Sequence, residues 1–224
     1  MPYTTGLFEI VGPAMIGPSS SHTAGAVRIG RIVRRLLGEP VKSAQIGLHG
    51  SFAATYRGHG TDRALIGGLL GMAVDDVRIR HSLSEAEREN VEFTFTAIEL
   101  KNAHPNTTVI TVRGASGESV EVRASSIGGG SILVNAIDGI EVDFSGDSDT
   151  LIVRHRDAPG AIAKVCSALA GVGINIAAMK MSRTEPGQAA IMVLELDALP
   201  GMDAIALIDG MEFTDVVTLL RKNM

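Results

Sequence analysis

The chain has 224 residues, of which 45% are apolar, with a mean hydropathy of +0.23 and a formal charge of −5. That length holds one large domain or two ordinary ones, and the acidic balance argues against a nucleic-acid binder, which needs a basic surface for phosphates. With no tryptophan and 4% aromatics, the core must be aliphatic and rich in Ala and Gly.

An apolar opening leads into "GPSSSHTAG", residues 17–25. A helix is expected from about Ser19 to Gly38, because Ala26, Ile29, Val33, Leu36 and Leu37 recur at helical spacing. Gly38 followed by Pro40 stops it. Arg28, Arg31, Arg34 and Arg35 read as its solvated face rather than as a phosphate patch. "VKSAQIGLHG" then reads as a strand, and "SFAATYRGHGTDRALIGGLLGM" as one or two helices interrupted by glycine. "DDVRIRH" and "VEFTFTAIEL" alternate as strands do, and "NTTVITVRGASGESVEVRASS" reads as a hairpin. "SIGGGSILVNAIDGIEV" is glycine-rich and then extended, and "SGDSDT" at Ser145–Thr150 resembles a linker.

Beyond it the order is strand, helix, strand, strand, helix, strand: "TLIVRHR", "APGAIAKVCSALAGVG", "INIAAMKMSR", "QAAIMVLEL", "GMDAIALIDG" and "MEFTDVVTLL". Pro159 is expected in the first helical turn, where a missing N–H costs nothing. This βαββαβ order is the ferredoxin-like unit. The single cysteine, Cys166, falls on the helix and reads as a small buried hydrophobe; no disulfide framework can form within the chain. No targeting segment is visible and no apolar run approaches the ~20 residues of a membrane span, so a soluble, cytoplasmic protein is expected.

The pattern "D-A-P-G-A-I-A…G-V-G-I-N-I" resembles an ACT domain, a small-molecule sensing module, over residues 149–224. The resemblance implies self-association through the module and a ligand near Asp157, Pro159 and Gly160, with Asn175 and Ile176 contributing from the next strand. Gly160 allows close approach, Asn175 offers a donor and an acceptor, and the helix start suits a carboxylate. A plain ferredoxin-like dimerisation domain is the other reading.

One serine suffices to cap a helix, so three serines ahead of a histidine suggest a site. "IGPSSSHTAG", then "LHGSFAATYRGHGTDRALIGGL", "HPN" and "SIGGGSI", resembles the beta chain of an iron–sulfur-dependent L-serine dehydratase. The resemblance implies an α/β (α+β) fold: an N-terminal serine dehydratase beta-chain domain over residues 1–146, like an allosteric substrate-binding domain, followed by the ACT domain. It implies a carbon–nitrogen lyase of amino-acid metabolism and gluconeogenesis, deaminating L-serine to pyruvate and ammonia by α,β-elimination of water.

His22 and His59 are the catalytic candidates, since imidazole titrates near neutral pH. Which of them abstracts the Cα proton is open. Ser19, Ser20, Ser21 and Thr23 can donate to a substrate carboxylate, and Gly128, Gly129 and Gly130 permit close backbone approach. Asp62 either belongs to the substrate site, orienting an imidazole, or caps the following helix. His104 and Asn106 fit the family motif and equally fit a turn; His49, His81 and His155 read as surface or internally satisfied histidines. No pyridoxal phosphate site is evident, and the family's electron-withdrawing group is a [4Fe–4S] cluster, whose iron is a Lewis acid. Such a cluster needs several thiolates and this chain has one, so the resemblance implies a separate cysteine-bearing alpha chain and no metal on this one. A second function class stays open, a non-catalytic sensor related to the substrate-sensing domain of phosphoglycerate dehydrogenases.

Overall fold

The computed structural model describes residues 15–222, so most of the apolar opening lies outside the described residues. By its packing the chain divides after Asp138 into two units.

In the first unit Ser19 caps the opening helix: its side chain accepts the His22 N–H. The turn that follows, Ser20–Ala24, is wound as a π-helix, with the Gly25 N–H donating back to the Ser20 carbonyl. Only from Gly25 does the expected helix become α, as α1 (Gly25–Leu37), and Gly38 ends it at φ 81. π-turns are rare and concentrate at functional sites.

Strand β1 (Val41–His49) feeds α2 (Gly50–His59), and Gly60, at φ 72, closes α2 and opens α3 (Thr61–Leu69). The segment expected as a strand around Val77 is instead a 3-10 helix, Val77–His81, followed by α4 (Ser82–Arg88). Asp76 caps the 3-10 turn by accepting the Arg78 N–H, a local bond that outweighs the alternating pattern. Strands β2 (Glu92–Ile98), β3 (Thr107–Gly114), β4 (Ser119–Gly128) and β5 (Ser131–Ile137) complete the unit. Its strands run β2-β1-β3-β4-β5, with β2 parallel to β1 and the other pairs antiparallel.

Two glycines set the helix packing. A Cβ on Gly68 would lie 2.2 Å from the Val27 carbonyl oxygen, and one on Gly30 2.5 Å from that of Leu65. Helices α1 and α3 therefore touch backbone to backbone, which only glycine permits. Arg34 donates to the Leu69 carbonyl at one end of the crossing and Arg28 to that of Gly130. These two half-buried arginines are thus structural ties rather than a solvated face.

In the second unit β6 (Ile140–Phe144) precedes β7 (Asp149–Arg156), α5 (Ala161–Gly171), β8 (Ile176–Arg183), β9 (Ala189–Leu196), α6 (Met202–Asp209) and β10 (Thr214–Leu220). The last four strands form an antiparallel sheet ordered β10-β7-β9-β8, the ferredoxin-like arrangement. Leu151, Val153, Val165, Leu169, Met192 and Leu194 form the middle of its core. Pro159 lies outside the helix, not in its first turn. Gly160 is the N-cap at φ 84, a left-handed conformation closed to proline. Cys166 is only half-buried, because the stripe facing the core is Ala161, Val165 and Leu169.

Candidate active site

The π-turn before α1 and the end of α2 bring His22 and His59 together, with ring centroids 4.9 Å apart. His22 lies in a frame of hydroxyls and one aromatic ring. Its Nδ1 is 3.4 Å from Ser19 Oγ, its Nε2 is 3.2 Å from Ser51 Oγ, and the Phe52 ring meets it edge-on at 5.3 Å. Phe52 is fully buried and so gives that side of the imidazole a fixed wall. Burial, and then the charge of His59, hold the His22 imidazole below its ordinary 6.5, with Ser51 working in the opposite direction. At neutral pH His22 is therefore uncharged and can accept a proton. His59 is exposed.

Gly50 places Ser51 and Phe52. It stands at φ 56, and a Cβ there would lie 2.7 Å from the Pro105 carbonyl oxygen. That carbonyl accepts the Ser51 N–H at 2.8 Å, anchoring the start of α2. The "HPN" segment thus supports the site from behind: His104 Nδ1 accepts the Asn106 N–H within the turn, at 3.1 Å. Sequence reasoning gave Ser51 and Phe52 no role, although Gly50 before a helical pattern is the signal that a special turn aims them.

Asp62 is buried and its Oδ1 accepts the Arg63 N–H within the first turn of α3, a helix whose N-cap position is Gly60. Ser20 and Ser21 sit half-buried on the π-turn. Thr23 is buried and its hydroxyl has no partner. Gly128, Gly129 and Gly130 form a turn with positive φ throughout, tied to α1 through Arg28. His49 Nδ1 accepts the Leu100 N–H and His81 is exposed. His155 is buried; its Nδ1 bonds the Arg156 carbonyl at 2.8 Å, and its Nε2 has no partner.

In the second unit the expected ligand residues separate into two places. Asp157 bonds Arg183 Nη1 at 2.6 Å and accepts the Gly187 N–H at 3.1 Å, near Pro159 and Gly160. Asn175 donates to Asp197 at 2.7 Å, and Ile176 pairs with Leu196, which pairs with Asp149. Asn175 and Ile176 therefore stand at the opposite end of the sheet from Asp157, roughly 26 Å away at ~3.3 Å per strand residue.

The similarities to known proteins agree with these units. Residues 4–136 match the family model described as "Serine dehydratase beta chain", and residues 150–201 match the ACT domain. The chain belongs to the serine dehydratase beta-chain family. It is 44% identical over 191 residues to a "Probable L-serine dehydratase, beta chain" of Bacillus subtilis, covering 85% of this chain and 86% of that one. It is 39% identical, at the same coverage, to the "L-serine dehydratase, beta chain" of Peptoniphilus asaccharolyticus. A D-3-phosphoglycerate dehydrogenase of Bacillus subtilis is 28% identical over 77% of this chain but only 33% of its own length.

The sequence resemblance implies an iron–sulfur cluster for the enzyme, and this chain's donors do not fit one. Cys166 is its sole thiol, it lies in the ACT unit, and among the described residues no three His, Cys, Asp or Glu side chains cluster as metal ligands. No helix among the described residues is long and apolar enough to cross a membrane.

Proposed function

We propose that this chain completes the active site of an L-serine dehydratase whose [4Fe–4S] cluster is held by a separate cysteine-bearing alpha chain, the assembly working in the cytoplasm. The single observation that carries the reading is the His22–His59 pair. Elimination of water from serine needs one group to take the Cα proton and another to deliver a proton to the departing β-hydroxyl. Two imidazoles 4.9 Å apart resist carrying two positive charges at once, so the pair suits one base and one acid rather than two acids. His22, kept neutral by burial, is the base; the exposed His59 is the acid. Loss of the Cα proton and of water leaves 2-aminoacrylate, which tautomerises to an imine and takes up water to give pyruvate and ammonia.

Ser19 and Ser51 orient the His22 ring through its two nitrogens. Ser20, Ser21 and Thr23 offer hydroxyls for the substrate carboxylate. Gly128, Gly129 and Gly130 give backbone room on the alpha-chain side. Asp62 acts from behind, holding the first turn of α3 next to His59.

For the ACT unit we propose self-association. Asp157, Pro159 and Gly160 lie at one end of the module and Asn175 and Ile176 at the other, so a second copy running antiparallel would bring the two sets together around an amino acid such as serine.

The test is reconstitution. The purified chain alone should contain no iron and form no pyruvate; mixed anaerobically with a cysteine-bearing alpha chain, it should turn L-serine into pyruvate. A stoichiometric cluster on this chain by itself would defeat the split arrangement. The similarity to phosphoglycerate dehydrogenase favours a second reading, a serine sensor without catalysis. That reading gains if both histidines can be removed without loss of turnover in the mixture.

A further inference from the structure

Next to the histidine pair lies an open pocket of about 450 Å3 whose wall includes Thr23, Arg57, His59, Gly60, Arg63 and Arg80. We propose that this pocket binds a small dianion, a phosphate group or a dicarboxylate, through Arg57, Arg63 and Arg80. The proposal goes beyond the catalytic reading: the site adjoins it through His59 and Thr23, but its occupancy rests on the arginines and not on what His59 does.

Charge is the first argument. The chain is acidic, yet three arginines from three elements, α2, α3 and the 3-10 turn, line one pocket with no acidic residue in its wall. Among the described residues none of the three has a carboxylate partner, whereas Arg78, Arg88 and Arg183 are paired with Asp76, Glu85 and Asp157. The nearest acid in sequence, Asp62, already accepts the Arg63 N–H. Cations lining one pocket repel one another until an anion is present, and guanidinium groups recognise carboxylate and phosphate through paired N–H donors.

The second argument is independent of charge. Thr23 lies in the pocket wall, and its hydroxyl is buried with no hydrogen-bond partner, a state that costs free energy. Gly17, also in the wall, packs closely against that hydroxyl: a Cβ there would sit 2.3 Å from Thr23 Oγ1.

A dianion fits better than an amino acid. A zwitterion brings an ammonium group, and this wall offers it three cations and no carboxylate. The volume also exceeds what a three-carbon amino acid fills, leaving room for a second acidic group.

The experiment is calorimetry on the full chain at low ionic strength, with inorganic phosphate, succinate, acetate and L-serine as separate titrants. Saturable one-to-one binding of phosphate or succinate, with acetate and serine much weaker, is expected. Phosphate alone binding would assign a phosphoryl ligand, succinate alone a dicarboxylate. Arg57→Gln/Arg80→Gln, two exposed positions, should weaken binding by about tenfold or more, since each lost charge-assisted bond is worth at least that factor. His22→Ala should leave it unchanged, which separates this proposal from the catalytic one. Unchanged melting temperatures would verify that the variants are folded. Absence of saturable binding, binding undiminished in the arginine variant, or serine matching the dianions would each overturn the assignment.

Discussion

The imidazoles of His22 and His59 face each other at 4.9 Å with their planes tilted by 39°. Each is brought there by a different device, His22 by a π-turn and His59 by the last residue of α2 before Gly60. Their separation couples their charges. His22 is displaced to lower pKa first by burial and then by His59.

A pH dependence follows. With its folded value below 6.5, His22 binds fewer protons in the native state than in the unfolded chain between those two values. Stability therefore rises with pH through that window, is fully present above 6.5, and is lost as the pH falls toward the folded value. Urea denaturation across pH 5 to 8 should show this slope in the native chain and a flatter one in His22→Asn. In His59→Gln, NMR titration should show the His22 midpoint moving up, yet staying below that of a free imidazole because burial remains.

Turnover is the second expectation. With an alpha chain present, His22→Ala or His59→Ala should lower kcat by roughly 10²-fold or more, the usual scale of acid–base assistance. Ser51→Ala, which frees the His22 ring without removing it, should cost less and shift the acid limb of the kcat profile. Co-purification with the alpha chain would demonstrate that assembly survives each change.

Gly68 offers a stability test remote from the chemistry. Gly68→Ala would put a methyl 2.2 Å from the Val27 carbonyl oxygen, forcing α1 and α3 apart. A loss of about 1–3 kcal/mol is expected from thermal or urea unfolding, the usual cost of overpacking. Gly58→Ala, in α2 and with open space around it, serves as the control and should be close to neutral.

Self-association should run through the ACT unit. Ile162 on α5 and Met179 on the edge strand β8 are exposed apolar side chains, 38% and 44% accessible. Sizing of Ile162→Glu/Met179→Glu should give a smaller particle than the native chain at the same concentration. Equal subunit numbers in the two would remove these residues from the contact.

Several features needed only local physics to be legible in the chain. The ferredoxin-like order, the hairpin around Gly117 and the break at Gly60 follow from strand alternation, turn chemistry and glycine, all of which act over a few residues. Family motifs supplied the two histidines as site residues. The misreadings were equally local in cause. Val77–His81 alternates like a strand, but the Asp76 cap turns it into a 3-10 helix, and Pro159 yields the capping place to Gly160 because only glycine adopts its conformation. Tertiary structure alone decided what surrounds the histidines. The approach of His22 to Ser51 and Phe52 depends on the Gly50–Pro105 contact, and the sharing of one pocket by Arg57, Arg63 and Arg80 on the packing of α3 against α2 and the 3-10 turn. Those side chains come from separate elements, and their distances, charges and desolvation exist only once the elements pack.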